Sequence, residues 1–204
     1  MVVDISYADG QTPLDGDEAE GLRISSITTR GELDEFEQLN IERAVAWTLR
    51  RKLTPERILT ERFVKELQRR MFGDVWRWAG EFRLTNKNIG VDKYDIAVEL
   101  RNLLDDARHW IEHDTYSGDE IAVRFKHRIV SIHCFTDGNG RHARLMADVI
   151  VSHVFGAPVF TWGSANLAKT GYARKNYDAR KNYIDALRKA DAGDIAPLIA
   201  FARM

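Results

Sequence analysis

The chain has 204 residues and a mass of 23.4 kDa, enough for one domain with a sizeable core. Lys and Arg number 30 against 31 Asp and Glu, and the net charge of −1 calls for neither a nucleic-acid nor an anionic-membrane partner. The single cysteine, Cys134, excludes an internal disulfide framework, no apolar run reaches membrane-spanning length, and residues 1–11 lack a basic-then-apolar leader, so a cytoplasmic protein is expected.

Residues 1–11 carry no helical period. Thr12-Pro13-Leu14-Asp15 reads as an N-cap, a Pro at the first helical position and an acidic first turn. Residues 13–20 are therefore expected as a short acidic helix stopped by Gly21, inside an N-terminal segment spanning 1–28. The main domain is assigned to 29–204. It opens with a capping box, Thr29-x-x-Glu32, before a helical pattern of Leu33, Phe36, Ile41, Ala44, Val45 and Thr48. Thr54-Pro55 starts a second helix, with Leu59, Phe63, Leu67 and Met71 four apart and Gly73 as its stop.

Residues 74–93 break the period, and Asn and Gly punctuate short apolar–polar alternations there. That pattern suggests a small hairpin between helices, or else a long connecting loop. Ile96, Leu100, Leu103, Leu104, Ala107 and Ile111 mark a further helix, and Ser117-x-x-Glu120 opens another through Ile121, Phe125, Ile129 and Ile132. After an apolar-periodic segment ending at Val154, Gly156 and Pro158 stop the chain. Residues 176–190 and 194–203 read as closing helices, with a weaker pattern around 165–175.

Between Ile132 and Asp148 lies the stretch on which a function can be argued. Asp137-Gly138-Asn139-Gly140 is a turn whose glycines allow positive φ and close approach of a ligand to the backbone. It opens a helix whose first N–H groups and dipole make an anion cradle. Arg141 and Arg144, three apart, add two cations with bidentate geometry. His133 can take a proton from an attacking hydroxyl, and Asp137 beside phosphates is a natural Mg²⁺ ligand. Each part alone is commonplace: a packed histidine, a surface turn, a solvated arginine face. Eight specified positions at roughly 5% usage each match by chance on the order of 10⁻⁸ times in a chain this long.

At these positions the sequence resembles the Fic (Fic/Doc) family, whose signature is H-x-F-x-D/E-G-N-G-R-x-x-R. His133, Phe135, Asp137, Gly138, Asn139, Gly140, Arg141 and Arg144 match every specified position, and Cys134 stands where the family usually has Pro. Within the family the chain is similar to the group called mobile mystery protein B. The resemblance implies a mainly α fold, a Fic-type helical bundle with one small β-hairpin, the flap. Trp76-x-Trp78-Ala79-Gly80-x-x-Arg83 looks like the run that leads into that flap, at about residues 84–95.

The implied activity is that of a protein adenylyltransferase, which moves AMP from ATP to a Tyr, Thr or Ser hydroxyl of a target protein. In that reading His133 is the base and the 138–140 backbone holds the α- and β-phosphates. Asp137 carries Mg²⁺, Arg141 takes the β-phosphate and Arg144 the γ-phosphate. Arg180-x-x-Tyr183-x-x-Ala186-Leu187 is similar to a segment near the nucleotide in the family, so Tyr183 either covers the adenine or ribose or is a core tyrosine.

Family members with Lys in place of the second Gly phosphorylate, and others move UMP or phosphocholine; Gly140 favours AMP here. A silent nucleotide- or partner-binding module is the reading from another class. Glu20-Gly21 resembles the end of the family's inhibitory pattern S/T-x-x-x-E-G/N, with Gly16 where Ser or Thr is usual. It implies that Glu20 pairs with Arg144 and regulates it; otherwise Glu20 ends a solvated helix. Inhibition by an antitoxin-like partner or by self-association is the other route.

Overall fold

A computed structural model describes residues 16–163 and 172–204, with the side chains of 16–17 and 172–180 outside the description. The described elements are helices: α1 (Gly16–Ala19), α2 (Arg30–Leu49), α3 (Pro55–Ile58), α4 (Glu61–Phe72), α5 (Ile96–Glu112), α6 (Gly118–Ile132), α7 (Asn139–His153), α8 (Tyr172–Asp191) and α9 (Ala196–Arg203). The expectation for 13–20 falls partly outside the described residues, as does that for 165–175.

At the centre α6 packs against α5, α7 and α9, while α4 joins α2 to the α7 side. The two central helices are apolar over most of their circumference. Ala122, Val123, Phe125, Ile129 and Ile132 of α6 meet Ala143, Leu145, Met146, Ala147, Val149, Ile150 and Val151 of α7 in one core. Among the described residues no helix is long and apolar enough to cross a membrane.

The capping box forms as the sequence predicts. The Thr29 hydroxyl accepts from Glu32 N at 3.3 Å, and the Glu32 carboxylate accepts from Thr29 N at 3.0 Å. Three expectations are corrected. The helix starting at Pro55 is two helices, because Leu59 leaves the helical region at ψ 53 and Thr60 caps a new start, accepting from Phe63 N. Arg108 of α5 donates to the Leu59 carbonyl at 2.6 Å, which compensates the break.

The inward face of α2 is Leu33, Glu37, Asn40, Ala44 and Thr48, while Phe36 is exposed. The expected period catches Leu33, Ala44 and Thr48 of this face and misses the polar Glu37 and Asn40. The expected hairpin is also absent: among the described residues there are isolated bridges, Leu22 with Trp76 and Phe82 with Phe135, and no strand pair across 84–95. Side chains do the work of a ladder there. Asn86 accepts from Lys93 N at 2.8 Å, Lys93 donates to the Leu84 carbonyl at 2.9 Å, and the Arg83 guanidinium serves further carbonyls described below.

His142 of α7 is buried under this packing, its Nε2 3.0 Å from the Val64 carbonyl and its ring edge-on to Phe135. Burial holds its pKa down at about 4, against the partial support of the Val64 bond. The unfolded chain takes up this proton near pH 6.5 and the folded chain only near 4. Stability is therefore complete above about 6.5 and is lost as pH falls toward 4, at up to about 1.4 kcal/mol per pH unit for the one group. Urea unfolding of wild type and His142→Gln at pH 7 and pH 5 should show the steeper fall in wild type.

Candidate active site

Helix α6 ends at His133, which takes the left-handed conformation at φ 56 and ψ 59. Five residues later Gly138 does the same at φ 75 and starts α7. A Cβ on Gly138 would lie 2.4 Å from the Phe72 ring, so the turn sits directly on α4 and only glycine fits. Between the two, Phe135 is fully buried and is gripped by Asn139. Asn139 Oδ1 accepts from Phe135 N at 2.9 Å and its Nδ2 donates to Phe135 O at 2.7 Å. The Asn139 side chain is thus structural, and its contribution to an anion is its backbone N–H. The first N–H groups of α7 have no partner one turn back, which leaves them to a ligand. Gly140 differs from Gly138: a Cβ there would meet nothing within 4 Å.

The two arginines are held by different helices. Arg141 pairs with Glu37 of α2, lies 3.6 Å from Asp137, and stacks on Phe72 at 4.8 Å. Glu37 is itself 1% exposed and also accepts from Trp76 Nε1 at 2.6 Å. Burial works against the Arg141 cation, but Glu37 and Asp137 outweigh it and hold the group charged. Arg144 turns to α8, where its charge acts on the Tyr183 hydroxyl, whose pKa burial nonetheless pushes up. The Tyr183 hydroxyl accepts from the buried Lys126 at 2.6 Å, and its ring lies 5.4 Å from Phe201. Lys126, deprived of water and facing Arg144, is pushed down to about 7. Tyr183 therefore does meet Arg144, and it packs into the core as well.

His133 is 5% exposed. Burial, then the Arg83 and Lys87 cations, push its pKa down to about 4, so at neutral pH the ring is an unprotonated base. The Asp137 side chain is 29% exposed, and burial raises its pKa against the pull of Arg141. One accessible carboxylate beside a helix N-terminus fits Mg²⁺, which takes one or two protein carboxylates and completes its shell with phosphates and water.

Glu20 is exposed, and no contact between it and Arg144 is seen among the described residues. The carboxylate turned inward from this segment is Glu18, which accepts from Thr85 Oγ1 at 3.0 Å and pairs with Lys87. Glu18, Glu37 and Arg83 are site neighbours that sequence reasoning missed. Glu37 carried a faint signal, four residues after the buried Leu33 on α2. Its partner lies 104 positions away, beyond any local pattern.

The two glycines separate packing from ligand contact. Gly138→Ala should lower the melting temperature, since the new methyl meets Phe72 at a left-handed residue. Gly140→Ala should melt with wild type yet lose affinity for ATP, as measured by calorimetry.

The Fic/DOC family profile matches residues 58–151. Among curated relatives, the chain is 28% identical to the probable protein adenylyltransferase y4lH of Sinorhizobium fredii over 192 residues, 88% of this chain and 87% of that protein. It is 25% identical to protein adenylyltransferase Fic of Nematostella vectensis over 173 residues, 83% of this chain, but spans only 37% of that relative's length. Its fold is similar to that of Fic-1 from C. elegans, with a TM-score of 0.64 at 23% identity, covering 90% of this chain and 56% of the other. It is equally similar to BepC of Bartonella tribocorum, solved with bound AMPPNP, with a TM-score of 0.64 at 15% identity over 93% and 97% of the two chains. The turn from His133 to Arg144 lies inside the residues that match the Fic/DOC family.

Proposed function

We propose that this protein is an adenylyltransferase that moves AMP from ATP to a hydroxyl side chain of a target protein. One observation carries the reading: a histidine kept neutral by its surroundings ends one helix, and six residues on a glycine-flanked N-terminus opens the next with two anchored arginines. The relative y4lH, matched along most of both chains and named a probable protein adenylyltransferase, supports it.

In this reading the N–H groups of residues 138–140 hold the α- and β-phosphates of ATP. Arg141, fixed by Glu37, meets the β-phosphate, and Arg144 the γ-phosphate. Tyr183 steadies Arg144 and borders the nucleoside. Asp137 would hold Mg²⁺, whose charge offsets that of the departing pyrophosphate. His133 takes the proton of the target Tyr, Thr or Ser hydroxyl. The hydroxyl oxygen bonds to the α-phosphorus, the bond from that phosphorus to the bridging oxygen breaks, and pyrophosphate leaves. The buried Cys134 thiol, pushed up to about 12 by burial, takes no part and suits a reducing cytoplasm.

Glu20 is proposed as a regulatory residue. By reaching Arg144 it would compete with the γ-phosphate, and doing so requires residues 16–20 to rearrange, because Glu20 is exposed and the carboxylate turned inward from this segment is Glu18.

Transfer of labelled AMP and ATP affinity should be measured together on wild type, His133→Ala and Glu20→Gly. His133→Ala should lose transfer by about 10²–10⁴-fold and keep ATP affinity, because the base touches no phosphate. Full transfer without the imidazole would remove His133 from the mechanism. Glu20→Gly should raise transfer by roughly 5–150-fold, the range of a typical coupling between sites; unchanged transfer would leave Glu20 a solvated helix end.

A further inference from the structure

Arg83 is 2% exposed, and among the described residues no carboxylate pairs with it. Its guanidinium makes four hydrogen bonds to backbone and amide oxygens instead. Nε donates to the His133 carbonyl at 2.6 Å, Nη1 to the Thr85 carbonyl at 2.8 Å and to Asn86 Oδ1 at 3.4 Å, and Nη2 to the Val91 carbonyl. Its backbone N–H donates to the Cys134 carbonyl at 3.0 Å, and Val91 N to the Ile132 carbonyl at 3.3 Å. Three successive carbonyls at the end of α6, those of Ile132, His133 and Cys134, are thus all taken by one segment.

A helix C-terminus presents unpaired carbonyls and partial negative charge, so a buried guanidinium is well placed there. Gly90 closes over the same spot. At φ 103 it brings its α-carbon so near that a Cβ would lie 2.6 Å from His133 Cβ and 3.0 Å from Arg83 Nη2.

We propose that Arg83 is a positioning residue that locks residues 84–92 and the His133 turn into one unit, so that the surface offered to the target and the base that deprotonates it are set together. The left-handed His133 backbone is strained for a non-glycine residue. The Arg83 bond to its carbonyl holds that conformation. The same guanidinium stands in for the missing strand ladder by gathering the Thr85 and Val91 carbonyls. A lysine could not do this, since an ammonium is a point charge that cannot span oxygens on both sides of a plane. Among the described residues, Arg83 and Lys87 are charged groups that act on the His133 ring; Glu18 pairs with Lys87, and Asp92 and Glu18 act on Arg83. Arg83 therefore also helps keep the ring neutral, after burial and against the His133 bond to the Val130 backbone.

The inference rests on His133 as the base, and its test uses readouts that do not require transfer. Arg83→Met and Arg83→Lys are compared with wild type by NMR titration of the His133 ring, hydrogen exchange of the Val91 amide, ATP affinity and labelled-AMP transfer. In Arg83→Met the His133 pKa should rise and Val91 protection should fall. In Arg83→Lys the charge is kept, so the ring should titrate low as in wild type, while Val91 protection falls and transfer drops by about 10²-fold, the scale of a misplaced reacting group. ATP affinity should be unchanged in both. A folded Arg83→Met with wild-type titration and Val91 protection would overturn the proposal. If that variant does not fold, Arg83→Lys with undiminished Val91 protection would overturn it. Absence of transfer in wild type, with the titration and exchange changes as expected, would instead count against adenylyl transfer and leave the coupling standing.

Discussion

The molecule is built on one forced turn. Helix α6 must end and α7 begin within six residues, and the chain does this with two left-handed residues, His133 and Gly138. Neither would persist unaided. Asn139 clamps both polar groups of Phe135, Phe135 is sunk in the core, and Phe72 fills the space that any side chain at 138 would need. The consequence is geometric. The end of one central helix offers a side-chain base, the start of the next offers N–H groups, and their separation is fixed by the same packing that forms the core.

The charges around this turn are set by burial as much as by pairing. Glu37 is almost wholly out of water, yet both its oxygens are satisfied, one by Trp76 and one by Arg141. Removing either partner would leave a buried charge uncompensated, which is far costlier than losing a surface pair. Arg141 is in consequence a rigid cation, and a rigid cation has no reorganisation to undergo when it meets a phosphate. On the other side Lys126, donating to Tyr183, is pushed down to about 7 by burial and by Arg144. His133 is neutral for related reasons, being desolvated and close to Arg83. The same fold that hides these groups makes one of them a base and another a fixed cation.

How much of this was legible in the sequence differs by element. The turn was legible as a helix–turn–helix junction with Gly138 at positive φ, but the left-handed His133 was not. Also legible were α2, α5, α6 and α9 as elements, each from apolar spacing or a capping residue. The inward face of α2 was legible only in part, since Glu37 and Asn40 face the interior to meet Arg141 and Asp74. Not legible was the break at Leu59, where apolar residues four apart continue across two helices and only the Thr60 cap and the distant Arg108 account for the interruption. The alternation at 84–95 suggested strands, but strands need partners, and the partner here is a guanidinium whose acceptors span residues 85 to 133. Glu20 matched a short pattern, whereas the inward carboxylate is Glu18, two positions earlier and so on another side of a one-turn helix. In each case the missing information was a contact between positions far apart in the chain.

The most direct test of the central claim uses the protein with Mg²⁺, a cell extract as the source of hydroxyl-bearing targets, and ATP labelled at either the α- or the γ-phosphorus. A site that holds the triphosphate with its α-phosphorus toward His133 should transfer the α label to protein, release pyrophosphate, and transfer nothing from the γ position. Label arriving from the γ position alone would mean the nucleotide sits reversed and the reaction is phosphorylation. No transfer from either position would mean the site binds without catalysing.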